Sequence, residues 1–174
     1  NEFSLVVDPG DAEPVIQALG SKSLVAILIT HHHWDHTTGV AKLKQQYPNI
    51  TIYGPHDCPF ELIDIRLNEG DTVGFQQLGI DFNVIEIPGH TLDHIAYFNK
   101  DYLFCGDTLF SIGCGRMFEG TPEMLSSSLN KLKSLPDNTQ VFCTHEYTQS
   151  NIAFARHIAP QNQALLDYQN QVTE

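Results

Sequence analysis

The stretch Thr30-His31-His32-His33-Trp34-Asp35-His36 carries the strongest signal in this sequence. It follows a continuous apolar run at 24–29, which is typical of a strand covered on both faces. We expect a strand over 24–30 and a loop over 31–36. In an extended segment, residues two apart point the same way, so His31 and His33 can bind one metal ion. The chain then turns, and Asp35 with His36 can face a second ion.

Three more candidate ligands follow the ends of other predicted strands. His90 comes after the strand at 80–87, Asp107 after the strand at 102–105, and His145 after the strand at 140–143. Functional side chains on loops from distant parts of a chain can meet at one edge of a sheet. The expected sets are one ion held by His31, His33 and His90, a second held by Asp35, His36 and His145, and Asp107 bridging both.

Imidazole nitrogens and carboxylate oxygens are typical ligands of zinc and other borderline divalent metals. The sequence therefore predicts two divalent ions, zinc in the first place, with iron or manganese as alternatives. Two such ions about 3.5 Å apart lower the pKa of a shared water towards about 7. We expect Asp35 and Asp107, together with the metal-bound hydroxide, to be the catalytic groups in the hydrolysis of a carbonyl compound. The chain contains no G-x-S-x-G motif, so serine catalysis has no support.

The remaining histidines have different expected roles. His32 lies between two ligands of the same ion and points the other way, so it is not expected to bind that ion. His94 follows His90 by four residues, and we expect it to orient the ligands. His56 and His157 are isolated, and we expect them on the surface or in ordinary packed positions.

Composition limits the partners of the chain. Its 174 residues are 41% hydrophobic, which is enough for the core of one domain. Nine basic and 21 acidic residues give a net charge of −12, and such a chain repels nucleic acid and anionic membranes. No apolar run approaches the roughly 20 residues that span a bilayer. We expect a small-molecule substrate, no nucleic-acid or membrane partner, and a monomer.

The cysteines indicate the compartment. Cys58, Cys105, Cys114 and Cys143 form no C-x-x-C pair. We expect all four to serve packing, with Cys105 and Cys143 buried in strands, because a buried thiol behaves as a small hydrophobe. A disulfide framework is uncommon in a domain of this size, so the sequence favours a reduced, cytoplasmic setting.

Turn signals and apolar runs alternate in a way that predicts a mixed α/β layered domain. Further strands are expected at 3–8, 50–53 and 95–98, and helices at 11–19, 39–47, 121–135 and 148–158. The chain enters its first strand almost at once, and a helical pattern at 163–169 continues without a stop signal. We therefore expect additional sequence at both ends.

Several further motifs accompany the ligand set. They are Val6-Val7-Asp8-Pro9-Gly10-Asp11-Ala12, Pro88-Gly89-His90-Thr91, Phe104-Cys105-Gly106-Asp107-Thr108-Leu109-Phe110, Gly113-Cys114-Gly115-Arg116, Phe118-Glu119-Gly120-Thr121 and His145-Glu146-Tyr147-Thr148. With these motifs, the chain resembles the metallo-β-lactamase superfamily over nearly its whole length. It is specifically similar to the glyoxalase II (hydroxyacylglutathione hydrolase) family in its bacterial form.

The resemblance implies an α/β fold of four layers, an αββα sandwich with the metals at one edge. It implies that residues 1–160 form the catalytic domain, without the family's N-terminal strand sequence, and that residues 161–174 begin a truncated helical substrate-binding domain. The implied reaction is hydrolysis of S-D-lactoylglutathione to glutathione and D-lactate. The implied substrate contacts are Arg116, Phe118 and Tyr147, although Phe118 stands where the family often has Tyr. Asp93 likewise stands where Gly is frequent.

Two alternatives remain open at this point. A mononuclear iron enzyme of the same superfamily, such as a persulfide dioxygenase, would use one ligand set, whereas Asp35, His36 and His145 complete a second. A truncated, inactive metal-binding domain would hold ions without cleaving a thioester. Metal content and thioester turnover, measured on one sample, separate the three hypotheses.

Overall fold

A computed structural model describes residues 2–172 of the chain. These residues form eleven strands and six helices, which follow in the order β1 (Phe3–Val7), α1 (Ala12–Leu19), β2 (Ser23–Leu28), α2 (Trp34–Thr37), α3 (Val40–Gln46), β3 (Thr51–Pro55), β4 (Ile65–Leu67), β5 (Thr72–Phe75), β6 (Ile80–Glu86), β7 (Ile95–Phe98), β8 (Tyr102–Phe104), β9 (Leu109–Phe110), β10 (Gly113–Cys114), α4 (Pro122–Lys133), β11 (Gln140–Phe142), α5 (Thr148–Ile158) and α6 (Gln163–Gln171).

Two sheets make up the centre of the molecule. The first has the order β1-β2-β3-β4, and all of its strand pairs are parallel. The second has the order β11-β8-β7-β6-β5, antiparallel throughout except for the parallel pair of β11 with β8. Strands β9 and β10 form a separate antiparallel ribbon. Parallel neighbours need helical crossovers, and α1 and α3 supply them between β1, β2 and β3.

The apolar side chains define four layers. Ile27 of β2 belongs to a cluster with Leu43 of α3, whereas the next residue, Leu28, belongs to a cluster with Tyr97 of the second sheet. Successive side chains of a strand point to opposite faces, so β2 is buried on both sides, as its continuous apolar run predicts. A third cluster joins the outer face of the second sheet to Leu132 of α4. The αββα sandwich is therefore confirmed.

Local signals account for the helix ends. The Asp11 carboxylate accepts a hydrogen bond from the Glu13 amide at the start of α1, and Gly20 ends this helix with φ +56°. The Thr121 hydroxyl accepts one from the Met124 amide, and Pro122 occupies the first turn of α4. Both helices begin where capping chemistry predicts.

Three predictions from the sequence were wrong in detail. Residues 34–37 form the short helix α2, because the chain turns back directly after its extended metal-binding segment. Cys114 and Cys143 are exposed, since the β9–β10 ribbon and β11 lie at the edge of the structure, whereas Cys58 and Cys105 are buried as expected. The β9–β10 ribbon itself was not predicted, because two-residue strands carry no usable periodicity.

Within residues 2–172, no helix combines the length and the apolar character needed to cross a membrane.

Candidate metal centre

The candidate ligands converge because four strands end at the same edge of the sandwich. His31 follows β2, His90 follows β6, Asp107 follows β8 and His145 follows β11. Asp35 and His36 lie on the first turn of α2, directly after the extended segment that carries His31 and His33. All seven predicted ligands are therefore brought together.

His31, His33 and His90 face one another through ring nitrogens. The distance from His33 Nδ1 to His31 Nε2 is 3.1 Å, and to His90 Nε2 it is 3.0 Å. Ligand atoms about 2.0–2.1 Å from a tetrahedral ion lie roughly 3.3 Å apart, so these spacings fit a shared ion. The structure groups these three histidines as one potential metal-binding set.

Hydrogen bonds fix which of these nitrogens carry protons. The Thr30 hydroxyl donates to Asp8 Oδ2 at 2.7 Å, so it accepts from His31 Nδ1, 3.0 Å away. His90 Nδ1 donates to the Arg116 carbonyl at 2.7 Å. The Nε2 atoms of His31 and His90 are thus bare lone pairs, and both point at His33 Nδ1. At most one proton can sit among three converging nitrogens, whereas a cation satisfies all of them.

Asp35, His36 and His145 form the second set. His145 Nε2 lies 3.4 Å from Asp35 Oδ2, and His36 Nε2 lies 3.8 Å from the same oxygen. His36 Nδ1 is 3.0 Å from Asp8 Oδ2 and donates to it, which leaves Nε2 as a lone pair. That buried Nε2 atom has no hydrogen-bond partner in the described chain, which fits a position that a cation occupies.

Asp107 stands between the two sets. Its Oδ1 atom is 3.3 Å from His36 Nε2, and its Oδ2 atom is 3.4 Å from both His90 Nε2 and His145 Nε2. The Thr144 hydroxyl also donates to Oδ1. One carboxylate thus touches a ligand of the first set and two ligands of the second, which is the geometry of a bridging ligand.

Burial and charge set the protonation states. Burial, followed by neighbouring His94 and His36, lowers the pKa of His31 far below its usual range. Burial raises the pKa of Asp107, but hydrogen bonds from His36 and Thr144 outweigh it and hold the pKa well below its usual range. Burial lowers the pKa of His36, but hydrogen bonds to Asp107 and Asp8 raise it to about 10. A proton on His36 therefore takes the place that a cation would otherwise fill.

Asp8 is a site residue that the sequence reasoning missed. Its Oδ1 atom accepts from the Thr30 amide at 2.8 Å, and its Oδ2 atom accepts from Thr30 and His36. The residue has a φ of +48°, which is unusual for a side chain other than Gly. The signal available in the sequence was the Asp8-Pro9-Gly10 turn at the end of β1.

His94 has the orienting contacts expected of it. Its ring stacks on His31 with centroids 4.5 Å apart, and its Nε2 atom accepts from the Asp107 amide at 3.1 Å. Burial lowers the pKa of His94 to about 3, so the ring is neutral. A Cβ on Gly106 would lie 2.6 Å from this ring, so only Gly allows the approach.

The other histidines lie away from the two sets. His32 turns toward Asp93 and Glu119, while His56 and His157 are exposed. Asp93 was expected to disturb the ligands, but its partner is His32 at 2.9 Å.

A cavity of about 630 Å³ opens over the ligands. Besides ligand residues, it is lined by Trp34, Phe110, Arg116, Phe118 and Tyr147. The three expected substrate contacts thus share one cavity with the metal-binding sets. The sequence reasoning missed Trp34, the only tryptophan of the chain, which lies between two ligands and is 77% exposed.

Comparison with known proteins supports this geometry. Residues 1–145 match the metallo-beta-lactamase superfamily. The solved structure of the BLEG-1 B3 metallo-beta-lactamase is similar, with a TM-score of 0.75 and 26% identity over 83% of this chain and 82% of that one. A structure of TTHA1623 in a di-iron-bound form has a TM-score of 0.64 and 30% identity over 80% of each chain.

The chain therefore belongs to the metallo-beta-lactamase superfamily. A curated relative from Pseudoalteromonas translucida, named hydroxyacylglutathione hydrolase, is 53% identical over 100% of this chain and 68% of its own length. Relatives with the same name place the chain among the hydroxyacylglutathione hydrolases of the superfamily. Membership in the superfamily implies divalent metal binding, and the His/Asp cluster supplies suitable donors.

Proposed function

We propose that this chain hydrolyses the thioester S-D-lactoylglutathione to glutathione and D-lactate with the help of two divalent metal ions. The observation that carries the proposal is the pair of ligand sets joined by Asp107. The name shared by the curated relatives supports the thioester as substrate. A mononuclear dioxygenase is disfavoured, because it would leave the second ligand set without a purpose.

Each ligand set has a proposed ion. His31, His33 and His90 would hold the first, Asp35, His36 and His145 the second, and Asp107 both. Zinc is the proposed metal, since neutral imidazoles and carboxylates without thiolates suit it, with iron or manganese as alternatives. Bound divalent ions supply Lewis acidity and a hydroxide nucleophile at neutral pH.

The protein side chains prepare the site for this chemistry. Asp8 and His94 orient His36, His31 and the Asp107 backbone through the contacts described above. Asp35 and Asp107 are the proposed catalytic carboxylates: they offset part of the metal charge and accept hydrogen bonds from solvent in the cavity. No strong general acid is required, because a thiol leaving group has an ordinary pKa near about 8.5.

The proposed substrate contacts lie around the mouth of the cavity. Arg116 offers a guanidinium fork to a substrate carboxylate, and its Cζ atom lies 5.7 Å from the centre of the Phe118 ring. The Tyr147 ring stacks on His145 with centroids 5.4 Å apart, which presents its hydroxyl beside the second ligand set. Two divalent ions outweigh the carboxylates around them, so an anionic substrate is attracted locally despite the acidic chain.

The remaining features of the proposal concern organisation. We assign residues 1–160 to the catalytic domain and residues 161–174 to a helical substrate-binding segment. Tyr168 of α6 exchanges a hydrogen bond with Ser111 at 2.9 Å, which joins this segment to the β9–β10 ribbon beside the cavity. The proposed protein is a cytoplasmic monomer whose partner is a small glutathione thioester.

The test is turnover of S-D-lactoylglutathione with metal counted on the same sample. We expect two metal ions per chain and release of a free thiol. One iron per chain with oxygen uptake on glutathione persulfide, and no thioester cleavage, would instead indicate the dioxygenase. Full metal loading without cleavage at high substrate concentration would indicate an inactive metal-binding domain.

A further inference from the structure

His32 occupies a second polar cluster beside the metal centre. Its Nδ1 atom lies 2.9 Å from Asp93 Oδ1, and its Nε2 atom lies 3.3 Å from Glu119 Oε1. The Asp93 side chain is only 5% exposed, whereas those of His32 and Glu119 are 24% and 36% exposed. The two carboxylates meet opposite nitrogens of one ring, so the arrangement is a bridge between two loops and not a site for one shared ion.

Glu119 is held at both oxygens. While Oε1 faces His32, Oε2 accepts a hydrogen bond from the Leu92 amide at 2.8 Å. The neighbouring residues on either side are also fastened to the loop that carries His90. The Phe118 amide donates to the His90 carbonyl at 3.1 Å, and the Gly120 amide donates to the Gly89 carbonyl at 3.2 Å. Glu119 is therefore the side-chain anchor of this loop.

The position of Glu119 controls the groups proposed to contact substrate. The adjacent Phe118 ring packs edge-on against His33 and His90, with centroids 5.6 Å and 5.2 Å away. Arg116 lies over the same ring. Phe118 is 60% exposed, so few neighbours other than these hold it in place. If Glu119 were released, the wall formed by Phe118 and Arg116 would lose its orientation toward the cavity.

We propose that Asp93, His32 and Glu119 form a positioning bridge that fixes the loop 115–120 over the metal centre and thereby sets the affinity for the thioester. The inference rests on the proposed function for its substrate, but the bridge itself rests on the contacts of these three residues. Buried Asp93 holds the His32 ring, and the ring holds Glu119. None of the three touches the reacting atoms, so they act on binding and leave the chemical step unchanged.

The experiment compares Glu119→Gln, His32→Phe and the double variant with the parent protein, each loaded with zinc. Glu61→Gln is the matched control, because it removes an exposed carboxylate that lies outside the cluster. We expect each single variant to raise KM for S-D-lactoylglutathione about tenfold, which corresponds to about 1.4 kcal/mol. The kcat should stay within about twofold, and zinc content should stay unchanged. The double variant should equal the single variants, since both remove the same bridge.

Hydrogen exchange provides a readout without substrate. We expect faster exchange of the Phe118 and Gly120 amides in Glu119→Gln and His32→Phe, and no change in Glu61→Gln. Unchanged exchange and unchanged KM in both variants would overturn the bridge, as would a double variant whose KM rises by the product of the single effects. If the parent protein cleaves no thioester but the variants still accelerate exchange, the proposed function fails while the bridge stands.

Discussion

Replacing Asp8 by asparagine tests how the sandwich prepares its metal-binding sets. The carboxylate accepts from the Thr30 amide, the Thr30 hydroxyl and His36 Nδ1, at 2.8, 2.7 and 3.0 Å. Thr30 in turn orients His31, so one residue fixes a ligand of each set. In Asp8→Asn, one oxygen becomes an amide NH₂ that cannot accept from His36 or Thr30.

The magnitude follows from the lost hydrogen bond. A hydrogen bond to a charged group contributes about 1.5–3 kcal/mol, and about 1.4 kcal/mol corresponds to a tenfold change in affinity. We therefore expect zinc affinity to fall roughly 10- to 100-fold, which agrees with the usual effect of removing a group that orients a ligand. Competition with a chromogenic chelator at equilibrium measures this affinity.

Asp57→Asn is the control for Asp8→Asn. Asp57 also lies 3.0 Å from a histidine Nδ1 atom, that of His56, but its side chain is 89% exposed. This variant should bind zinc as the parent protein does. If Asp8→Asn kept the parent affinity within about twofold, the claim that Asp8 orients both ligand sets would be refuted.

Four further predictions address the bridge between the ions, the substrate contacts and the pH dependence of stability. Asp107→Asn should weaken both ions at once, so metal analysis after dialysis should find less than one ion per chain; two tightly bound ions would contradict the bridging role. Arg116→Ala should raise KM for S-D-lactoylglutathione with little change in kcat, and an unchanged KM would remove the proposed contact. Titration with glutathione should change the emission of Trp34, the only tryptophan of the chain, and the change should be absent in Trp34→Phe. Burial raises the pKa of Asp64, but hydrogen bonds from Lys44 and the Ile52 amide outweigh burial and lower it, so its stabilising effect is present above the ordinary carboxyl pKa and is lost in strong acid; urea unfolding of the metal-free protein should show Asp64→Asn destabilised by less than about 1 kcal/mol at neutral pH, because the pair is partly exposed, and equal to the parent in strong acid.

Local chemistry made much of this protein predictable. The apolar run that became β2 required cover on both faces, and the spacing of His31, His33, Asp35 and His36 separated two ligand sets. Strand-end positions then identified the loops of His90, Asp107 and His145. The resemblance of the motifs to a known family added the sandwich and the thioester.

Other features depend on side chains that are distant in sequence. Asp8 and Thr30 are 22 residues apart, and His32 and Asp93 are 61 residues apart. Neither pairing follows a local periodicity, so no pattern in the sequence predicts it. The exposure of Cys143 likewise depends on β11 lying at the edge of its sheet.

By itself, the sequence determined which residue types stand at strand ends, because turn chemistry and apolar periodicity act over a few residues. Only the tertiary structure decided which nitrogen of each histidine is bare, that Asp107 lies between two sets of ligands, and that Glu119 meets His32. These outcomes depend on packing two sheets face to face. Interatomic distances of about 3 Å between loops are fixed by that packing and not by any local preference.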